Sequence, residues 1–253
     1  MTRLTLAPRA CGVRPGRSFD LQATQGISLY TVGEGIGGRR EARKAQTRVE
    51  IRDVAQRLFA ERGFDGVTSA DVATAAGVAV QTVFNHFGSK EDLFFDGRTP
   101  WVEGLADAVA SRPAGVDPLA ALRDYLDADL VGLFDQDERP ENRSYLEVLA
   151  RSPALQTREL SLVEAAGRRL AGALQESVAP TGDPVRTAAL CRLTASLFLV
   201  AGRALVLEHR RLVLDPAGDP ADRASVRALV TAALTMLEDG LRGLAGDQPA
   251  ARD

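Results

Sequence analysis

The sequence TSADVATAAGVAVQTVFNHFGSKEDL, at residues 68–93, decides how the N-terminal part of this chain folds. Two short helical patterns meet at a Gly-Val pair, and a third pattern starts soon afterwards at Ser-Lys-Glu. Thr68 and Asp71, three residues apart, resemble a capping box, and Ser89 with the aspartate three residues later forms a second cap signal. Gly77 allows the positive φ of a tight turn. The stretch therefore predicts two short helices joined by a turn, then a further helix.

A longer helix is predicted before this stretch, from about residue 42 to the stop signal near Gly63. Its apolar residues follow the i, i+3, i+4, i+7, i+8 pattern, and they are Ile51, Val54, Ala55, Leu58 and Phe59. Small side chains let the two short helices approach, and we expect the space beneath them to be filled by Val72, Val78, Val83 and Phe87 against Leu58 and Phe59. Two short helices at a tight turn are typical of a helix-turn-helix. Helical hairpins also occur in unrelated proteins, so the spacing alone leaves DNA binding and a purely structural hairpin open.

Charge is unevenly distributed along the 253 residues, whose formal net charge is −3. Residues 39–90 contain nine Lys/Arg and six Asp/Glu, whereas residues 91–253 contain 18 and 26. A weakly acidic total neither supports nor opposes nucleic-acid binding, because only the field at the contact surface matters. The chain has no run of about 18 uncharged apolar residues, so no transmembrane helix is expected. Two cysteines far apart suit the reducing cytoplasm, which is the predicted location.

The rest of the chain has helical periodicity, and we predict an all-α protein without a sheet. The predicted helices after the motif are 90–110, 118–135, 141–151, 154–178, 184–211 and 221–245, with prolines near their ends. The predicted domains are a disordered leader at 1–38, a helix-turn-helix domain at 45–105 with its motif at about 68–87, a helical domain at 106–246 and a flexible tail at 247–253. The leader prompts the further hypothesis that translation starts near Val32.

The order of the motifs resembles the DNA-binding domain of the TetR family of transcriptional repressors. The similarity rests on the segments FDGVT at 64–68, DVA at 71–73, AGV at 76–78, TVFNHF at 82–87 and SKEDL at 89–93, and it covers about a quarter of the chain. The family's fold implies a three-helix N-terminal DNA-binding domain followed by a larger helical domain for ligand binding and dimerisation. Two positions depart from the family pattern: Ala79 replaces a common Ser or Thr cap, and Phe84 lacks the hydroxyl of a common Tyr, which favours a packing role for Phe84.

The resemblance implies a set of DNA contacts. Val80, Gln81 and Thr82 occupy the family's base-contact positions, where Gln81 can pair with adenine and an apolar group can meet a thymine methyl. Thr68 and Lys90 would each contact a phosphate. The complete predicted interface is Arg48, Thr68, Ser69, Val80, Gln81, Thr82, Phe84, Asn85, His86 and Lys90, with a possible basic arm at Arg39, Arg40, Arg43 and Lys44.

The distal domain is expected to hold a small-molecule effector between its helices. The predicted lining residues are Trp101, Tyr125, Phe134, Tyr145, Phe198 and Arg203, although each also fits an ordinary core or surface position. Arg203 stands out because it interrupts an apolar run and needs a partner if it is buried. The two long helices at 184–211 and 221–245 are predicted to form a homodimer contact, a core within one chain, or both.

These features predict a ligand-responsive repressor that binds a palindromic operator as a dimer and is released by a small molecule. The alternative is a helical interaction or small-molecule binding protein that has lost sequence-specific DNA binding. The sequence has no paired catalytic motif, so no enzymatic activity and no cofactor are predicted. With only His86 and His209 as histidines, no metal site is predicted either.

Overall fold

The computed structural model describes residues 37–98, 101–177 and 183–246. Within these ranges all regular structure is helical and no strand occurs, which confirms the predicted all-α class. The helices are α1 (Gly37–Arg62), α2 (Ser69–Ala75), α3 (Val80–His86), α4 (Lys90–Phe95), α5 (Leu105–Ala110), α6 (Pro118–Asp137), α7 (Arg143–Arg151), α8 (Pro153–Ser177), α9 (Pro184–Leu214) and α10 (Pro220–Gly246), with a 3-10 helix at Pro140–Asn142.

The chain divides into two compact units, Met1–Ala42 and Arg43–Asp253. The described part of the first unit is the start of α1, whose side chains at 38–42 are exposed. The leader up to residue 36, the tail at 247–253 and Cys11 lie outside the described residues, so the predictions about them stay predictions. Helix α1 begins at Gly37, five residues before the predicted start.

A first hydrophobic core, here called the head core, lies under the helix-turn-helix. It consists of Ile51, Ala55, Leu58, Phe59, Phe64, Val67, Val72, Ala73, Val83, Phe87, Leu93, Phe94, Phe95, Val148, Leu149 and Leu155. Val78 is partly buried against this core, so the predicted filling of the space beneath the motif is confirmed. The last three members belong to α7 and α8, and they attach the motif directly to the distal helices.

The turn between α2 and α3 has the predicted geometry. Gly77 has a φ of 66°, in the left-handed region where a side chain is disfavoured. The amide of Val78 then donates to the carbonyl of Ala73 at 3.0 Å, which closes the turn at the end of α2. This tight turn leaves only four residues between the end of α2 and the start of α3.

The prediction of one continuous helix at 90–110 is wrong. Helix α4 ends at Phe95, α5 begins at Leu105, and the segment between them contains Gly97 at a φ of 70° and Gly104 at 85°. A β-carbon at Gly104 would lie 2.1 Å from the hydroxyl oxygen of Tyr125, so this position accepts no side chain without movement. The two glycines interrupt the helix and let the chain pass from the head core into the distal domain.

A second core, here called the body core, joins α5, α6, α8, α9 and α10. Its buried members are Trp101, Val102, Leu105, Val109, Leu122, Leu126, Leu130, Phe134, Val163, Ala166, Leu170, Leu174, Cys191, Ala195, Phe198, Leu199, Val206, Leu212, Val226, Val230, Leu234 and Leu241. The helices α6 and α9 begin at prolines, each preceded by an aspartate whose side chain accepts a backbone N–H, and α8 and α10 also begin at prolines. The distal helices predicted after position 110 are confirmed, and each end lies within three residues of its predicted position. The largest difference is at the C-terminal end of α9, which runs three residues further than predicted.

By length and composition, α9 is the one helix in the described part of the chain that could cross a membrane. The sequence analysis expected none. A core helix meets the same criterion, and α9 packs against α8 and α10 with nine buried residues, from Cys191 to Leu212.

Candidate nucleic-acid interface and internal cavity

Thr68 and Asp71 start α2 with a complete capping box. The Thr68 hydroxyl accepts the Asp71 amide at 3.1 Å, and the Asp71 carboxylate accepts the Thr68 amide at 2.8 Å. The Thr68 hydroxyl also donates to that carboxylate, and these hydrogen bonds lower the pKa of Asp71. Thr68 is exposed and Ser69 is half-buried beside it. The cap fixes the N-terminus of α2 at the surface, and the predicted phosphate contacts of both residues stay predictions.

Helix α3 presents a continuous outer face. Val80 is 40% exposed, Gln81 and Asn85 are exposed, and Thr82 is half-buried, whereas Val83 points into the head core. The Gln81 amide donates to the Asn85 side-chain oxygen at 3.1 Å, which aligns the two amides one turn apart. This arrangement matches the orientation predicted for a recognition helix, although the base contacts themselves stay predictions.

Ala79 and Phe84 are the two departures from the family pattern. Ala79 precedes α3 without any side-chain cap, and only its carbonyl receives N–H groups from α3. Phe84 is 49% exposed, so the interpretation that it only packs is wrong. It lies one turn after Val80 on the same outer face, because positions four apart are neighbours on a helix.

Lys90, at the start of α4, has an internal role that the sequence analysis missed. Its ammonium donates to the carbonyls of Phe64 and Val67, both at 3.0 Å, and lies 4.0 Å from the centroid of the Phe64 ring. It thereby ties α4 to the loop before α2. An ammonium has three N–H groups, so a contact between Lys90 and a phosphate stays a prediction.

Arg48 of α1 also binds within the protein. Its guanidinium donates to the Asp96 carboxylate at 3.1 and 2.5 Å and to the carbonyl oxygen of His86, the last residue of α3. It lies 4.4 Å from the centroid of the Phe87 ring. Arg48 therefore connects α1, the end of α3 and the end of α4. Its predicted DNA contact would have to coexist with these bonds.

His86 and the basic residues of α1 complete the predicted interface. Partial burial lowers the pKa of His86, and the nearby charges of Lys44 and Arg48 lower it further. Arg39, Arg40, Arg43 and Lys44 are exposed.

A cavity of about 710 Å³ lies between the head core and the body core. Its lining comes from α1, the end of α4 and the segment after it, α6, the 3-10 helix, α7, α8 and α9. It consists of Arg52, Gln56, Phe95, Gly97, Arg98, Trp101, Glu103, Tyr125, Ala128, Asp129, Gly132, Leu133, Gln136, Asp137, Asn142, Tyr145, Glu159 and Arg210. Helix α9 also supports the far side of Trp101, because a β-carbon at Gly202 would lie 2.7 Å from the indole ring. The cavity therefore borders both the recognition domain and the distal helices.

The predicted ligand-binding residues divide into two groups. Trp101, Tyr125 and Tyr145 line the cavity. Phe134 and Phe198 do not line it, because both are fully buried in the body core, where Phe134 stacks on His209 at 3.9 Å. Arg203 does not line it either, and its Nε is buried without a hydrogen-bond partner among the described residues.

Three buried charges from different helices meet at one wall of the cavity. Arg210 of α9 donates to Asp137 of α6 at 3.1 Å and to Glu159 of α8 at 2.7 Å. Both carboxylates are about 5% exposed. Burial raises the pKa of Asp137, while the carboxylates hold the pKa of Arg210 above its ordinary value against the effect of burial. The group forms a buried polar wall, and the Arg98 guanidinium lies near enough to Asp137 to interact with it electrostatically.

The sequence analysis did not identify Arg98, Asp129 or the Arg210 group. A partial signal existed for Arg210, because it lies in an apolar helix where a charge is expected to need a partner. In the part of the chain that the structure describes, no group of three or more His, Cys, Asp or Glu side chains could hold a metal ion.

The capped two-helix motif, packed through the head core on α1 and α4, defines a helix-turn-helix domain. Within that class, residues 51–96 match the family model for bacterial regulatory proteins of the tetR family. The match confirms that the chain carries a TetR-family helix-turn-helix domain, as the resemblance predicted.

Curated relatives match part of the chain. MftR of Mycobacterium tuberculosis, whose name assigns it to the transcriptional regulation of mycofactocin biosynthesis, is 34% identical over 125 residues, which cover 47% of this chain and 60% of MftR. The transcriptional repressor KstR2 of Rhodococcus jostii is 44% identical over 50 residues, or 20% of this chain and 24% of KstR2. These matches thus span less than two thirds of either relative.

Solved structures of similar chains cover more of the length at lower identity. NalD of Pseudomonas aeruginosa, the secondary repressor of the MexAB-OprM multidrug efflux pump, is 21% identical with a TM-score of 0.47, over 77% of this chain and 96% of that one. The TetR family repressor AlkX of Dietzia is 21% identical with a TM-score of 0.44, over 77% and 97%.

Proposed function

We propose that this protein is a cytoplasmic transcriptional repressor that binds a palindromic operator as a homodimer and is released by a small molecule. The observation that carries the proposal is the outer face of α3, where Val80, Gln81 and Asn85 are exposed on a TetR-family domain. A recognition helix in the major groove reads base edges with such side chains. The other parts of the proposal rest on the distal helices.

A second copy of the chain is the proposed partner of α9 and α10. Exposed apolar residues follow one face of α9 at intervals of seven or eight, and α10 has two more seven residues apart: Val185, Leu193, Val200, Leu207, Leu229 and Met236. Val185, Val200 and Met236 are 72%, 67% and 69% exposed, which is unusual for side chains of this type in a long helix. Pairing these faces around a two-fold axis would bury them and direct two copies of α3 to successive half-sites.

The cavity is the proposed effector site because it touches the recognition domain directly. Arg52 and Gln56 belong to α1. Phe95 is the last residue of α4, and Gly97 and Arg98 lie in the segment directly after it. The Gln56 amide donates to the Asp96 carbonyl at 3.3 Å, and Asp96 also binds Arg48, which holds the end of α3. A ligand that moves this segment would therefore move the recognition helix, and the coupling must act equally in both directions.

Binding to DNA from upstream of the protein's own or adjacent genes tests the proposal. We expect preferential binding over bulk DNA, a steep dependence on salt, and loss of the preference in Gln81→Ala combined with Thr82→Ala. Gln175→Ala is the matched control, because Gln175 is exposed on α8, away from the motif. A chain that prefers no fragment over bulk DNA would instead be a helical interaction protein.

A further inference from the structure

Asp129 is a partly buried lining residue whose charge has no ion-pair partner among the described residues. It lies on α6 between Tyr125 and Leu133, which also line the cavity. Its carboxylate has no ion pair and accepts no hydrogen bond from any described residue, and burial alone raises the pKa of Asp129 to about 6. At neutral pH this carboxylate is mostly ionised, partly buried and uncompensated, a state that is costly unless something binds there.

The cationic side chains of the cavity have contacts within the protein, although Arg98 has no carboxylate partner among the described residues and burial lowers its pKa. Arg210 pairs with its two carboxylates. Arg98 donates to the Asn142 side-chain oxygen at 3.0 Å and lies 4.3 Å from the centroid of the Tyr145 ring. Arg52 pairs with Asp53 at 2.9 Å. By formal charge the lining has three guanidinium groups and four carboxylates, so its net charge is negative and a cation compensates Asp129 better than an anion.

Space for the rest of a ligand adjoins the carboxylate. Gly132 follows Asp129 by one helical turn and also lines the cavity, and a β-carbon built on it meets nothing within 4 Å. The aromatic rings of Trp101 and Tyr125 belong to the same lining. Aromatic faces attract organic cations, and a cavity of this size holds a drug-sized molecule.

We propose that the cavity binds an organic cation, whose charged nitrogen pairs with the Asp129 carboxylate and whose body fills the space beside Gly132. This inference rests on the proposed function, because it names the chemical class of the effector. Asp129 determines the charge preference, while the Arg210 group supplies a polar wall whose charges pair with one another.

Two xanthene dyes of opposite charge provide the test, measured by fluorescence anisotropy on the full-length protein without DNA. Rhodamine 6G is a permanent cation and fluorescein is an anion. We expect rhodamine 6G to bind more tightly than fluorescein, and Asp129→Asn to weaken rhodamine 6G by about tenfold or more while leaving fluorescein unchanged or tighter. Asp127→Asn is the matched control, because Asp127 lies on the same helix, binds Thr231 and does not line the cavity.

The pH dependence gives an independent readout. Because Asp129 gains its proton as pH falls through about 6, rhodamine 6G binding should weaken below that pH, and Asp129→Asn should remove this dependence. None of the other charged or titratable lining side chains is changed in Asp129→Asn or in Asp127→Asn. These side chains are Arg52, Arg98, Glu103, Tyr125, Asp137, Tyr145, Glu159 and Arg210.

Three results would overturn the inference: no binding of rhodamine 6G, tighter binding of fluorescein, or equal losses in Asp129→Asn and Asp127→Asn. Operator binding is measured separately on the same preparations without dye. If the protein binds the operator but does not prefer the cationic dye, only the ligand class is rejected. If the unmodified protein does not prefer operator DNA over bulk DNA, the proposed function is rejected.

Discussion

Replacing Arg48 separates two roles that the sequence and the structure assign to it. The family resemblance predicts a DNA contact, whereas the structure uses the guanidinium to join Asp96 to the His86 carbonyl at the end of α3. Arg48→Met keeps the apolar stem and removes the charge and the donors. Asp96→Asn removes only the acidic partner and leaves Arg48 in place.

The structure sets the size of the expected effect. The Arg48 side chain is 43% exposed and that of Asp96 is 17% exposed, so the pair is screened in part. Hydrogen bonds to charged groups contribute about 1.5–3 kcal/mol when well formed, and exposed ion pairs about 0.2–1 kcal/mol. Together with the lost bond to the His86 carbonyl, we expect Arg48→Met to lower the free energy of unfolding by about 2 kcal/mol.

The affinity for DNA should fall as well. Without this connection the free protein samples more orientations of α3, and the apparent affinity falls with the fraction that remains competent to bind. A loss of about tenfold corresponds to about 1.4 kcal/mol of that stabilisation. If the connection is the main role of Arg48, Asp96→Asn should weaken DNA binding in the same direction.

The assay is the affinity for an operator fragment at several salt concentrations. A residue that acts inside the protein changes the affinity without changing the slope of log K against log salt, whereas removing a phosphate contact reduces the magnitude of that slope by about 1. Arg57→Met is the control for charge, because Arg57 is exposed on α1 and has no ion pair among the described residues. A reduced slope in Arg48→Met, with undiminished affinity in Asp96→Asn, would refute the internal role.

Three further changes test the distal domain. Arg210→Met should lower the free energy of unfolding by about 3–5 kcal/mol in urea titrations, because it leaves Asp137 and Glu159 buried without a partner, and adding Asp137→Asn and Glu159→Gln should recover most of the loss. Val200→Asp should shift the protein from dimer to monomer in sedimentation experiments, because the side chain is 67% exposed on the proposed contact face; an unchanged dimer would place the contact elsewhere. Gly132→Phe should fill the cavity and weaken operator binding without a ligand, and unaltered binding would argue against coupling.

Local signals explain why the motif could be predicted from the sequence. The cap at Thr68, the turn at Gly77 and the buried Val83 each depend on neighbours a few residues away, and the structure has all three as expected. The prediction of one helix at 90–110 gave too little weight to such local signals, because Gly97 and Pro100 in DGRTP at 96–100 are residues that interrupt helices.

The cavity could be predicted only in part because its parts are distant in sequence. Asp137 and Arg210 are 73 residues apart, and nothing in either local pattern indicates the other. Aromatic residues at helical spacing fit a core and a cavity equally well, so Tyr125 and Phe198 look alike in the sequence but lie in different surroundings. Lys90 and Arg48 show the same limit, since their positions predict DNA contacts and only the packed structure reveals their internal bonds.

Helix α9 faces two ways at once. One side supports Trp101 through Gly202 and supplies Arg210 to the cavity, while Val200 and Leu207 lie exposed on another side. A helix with its side chains is only about 10–12 Å across. In a symmetric dimer joined along α9, the cavities of the two subunits would lie on opposite sides of a thin contact between the helices. A ligand in the first cavity would then alter that contact, and the second subunit would respond before it bound any ligand.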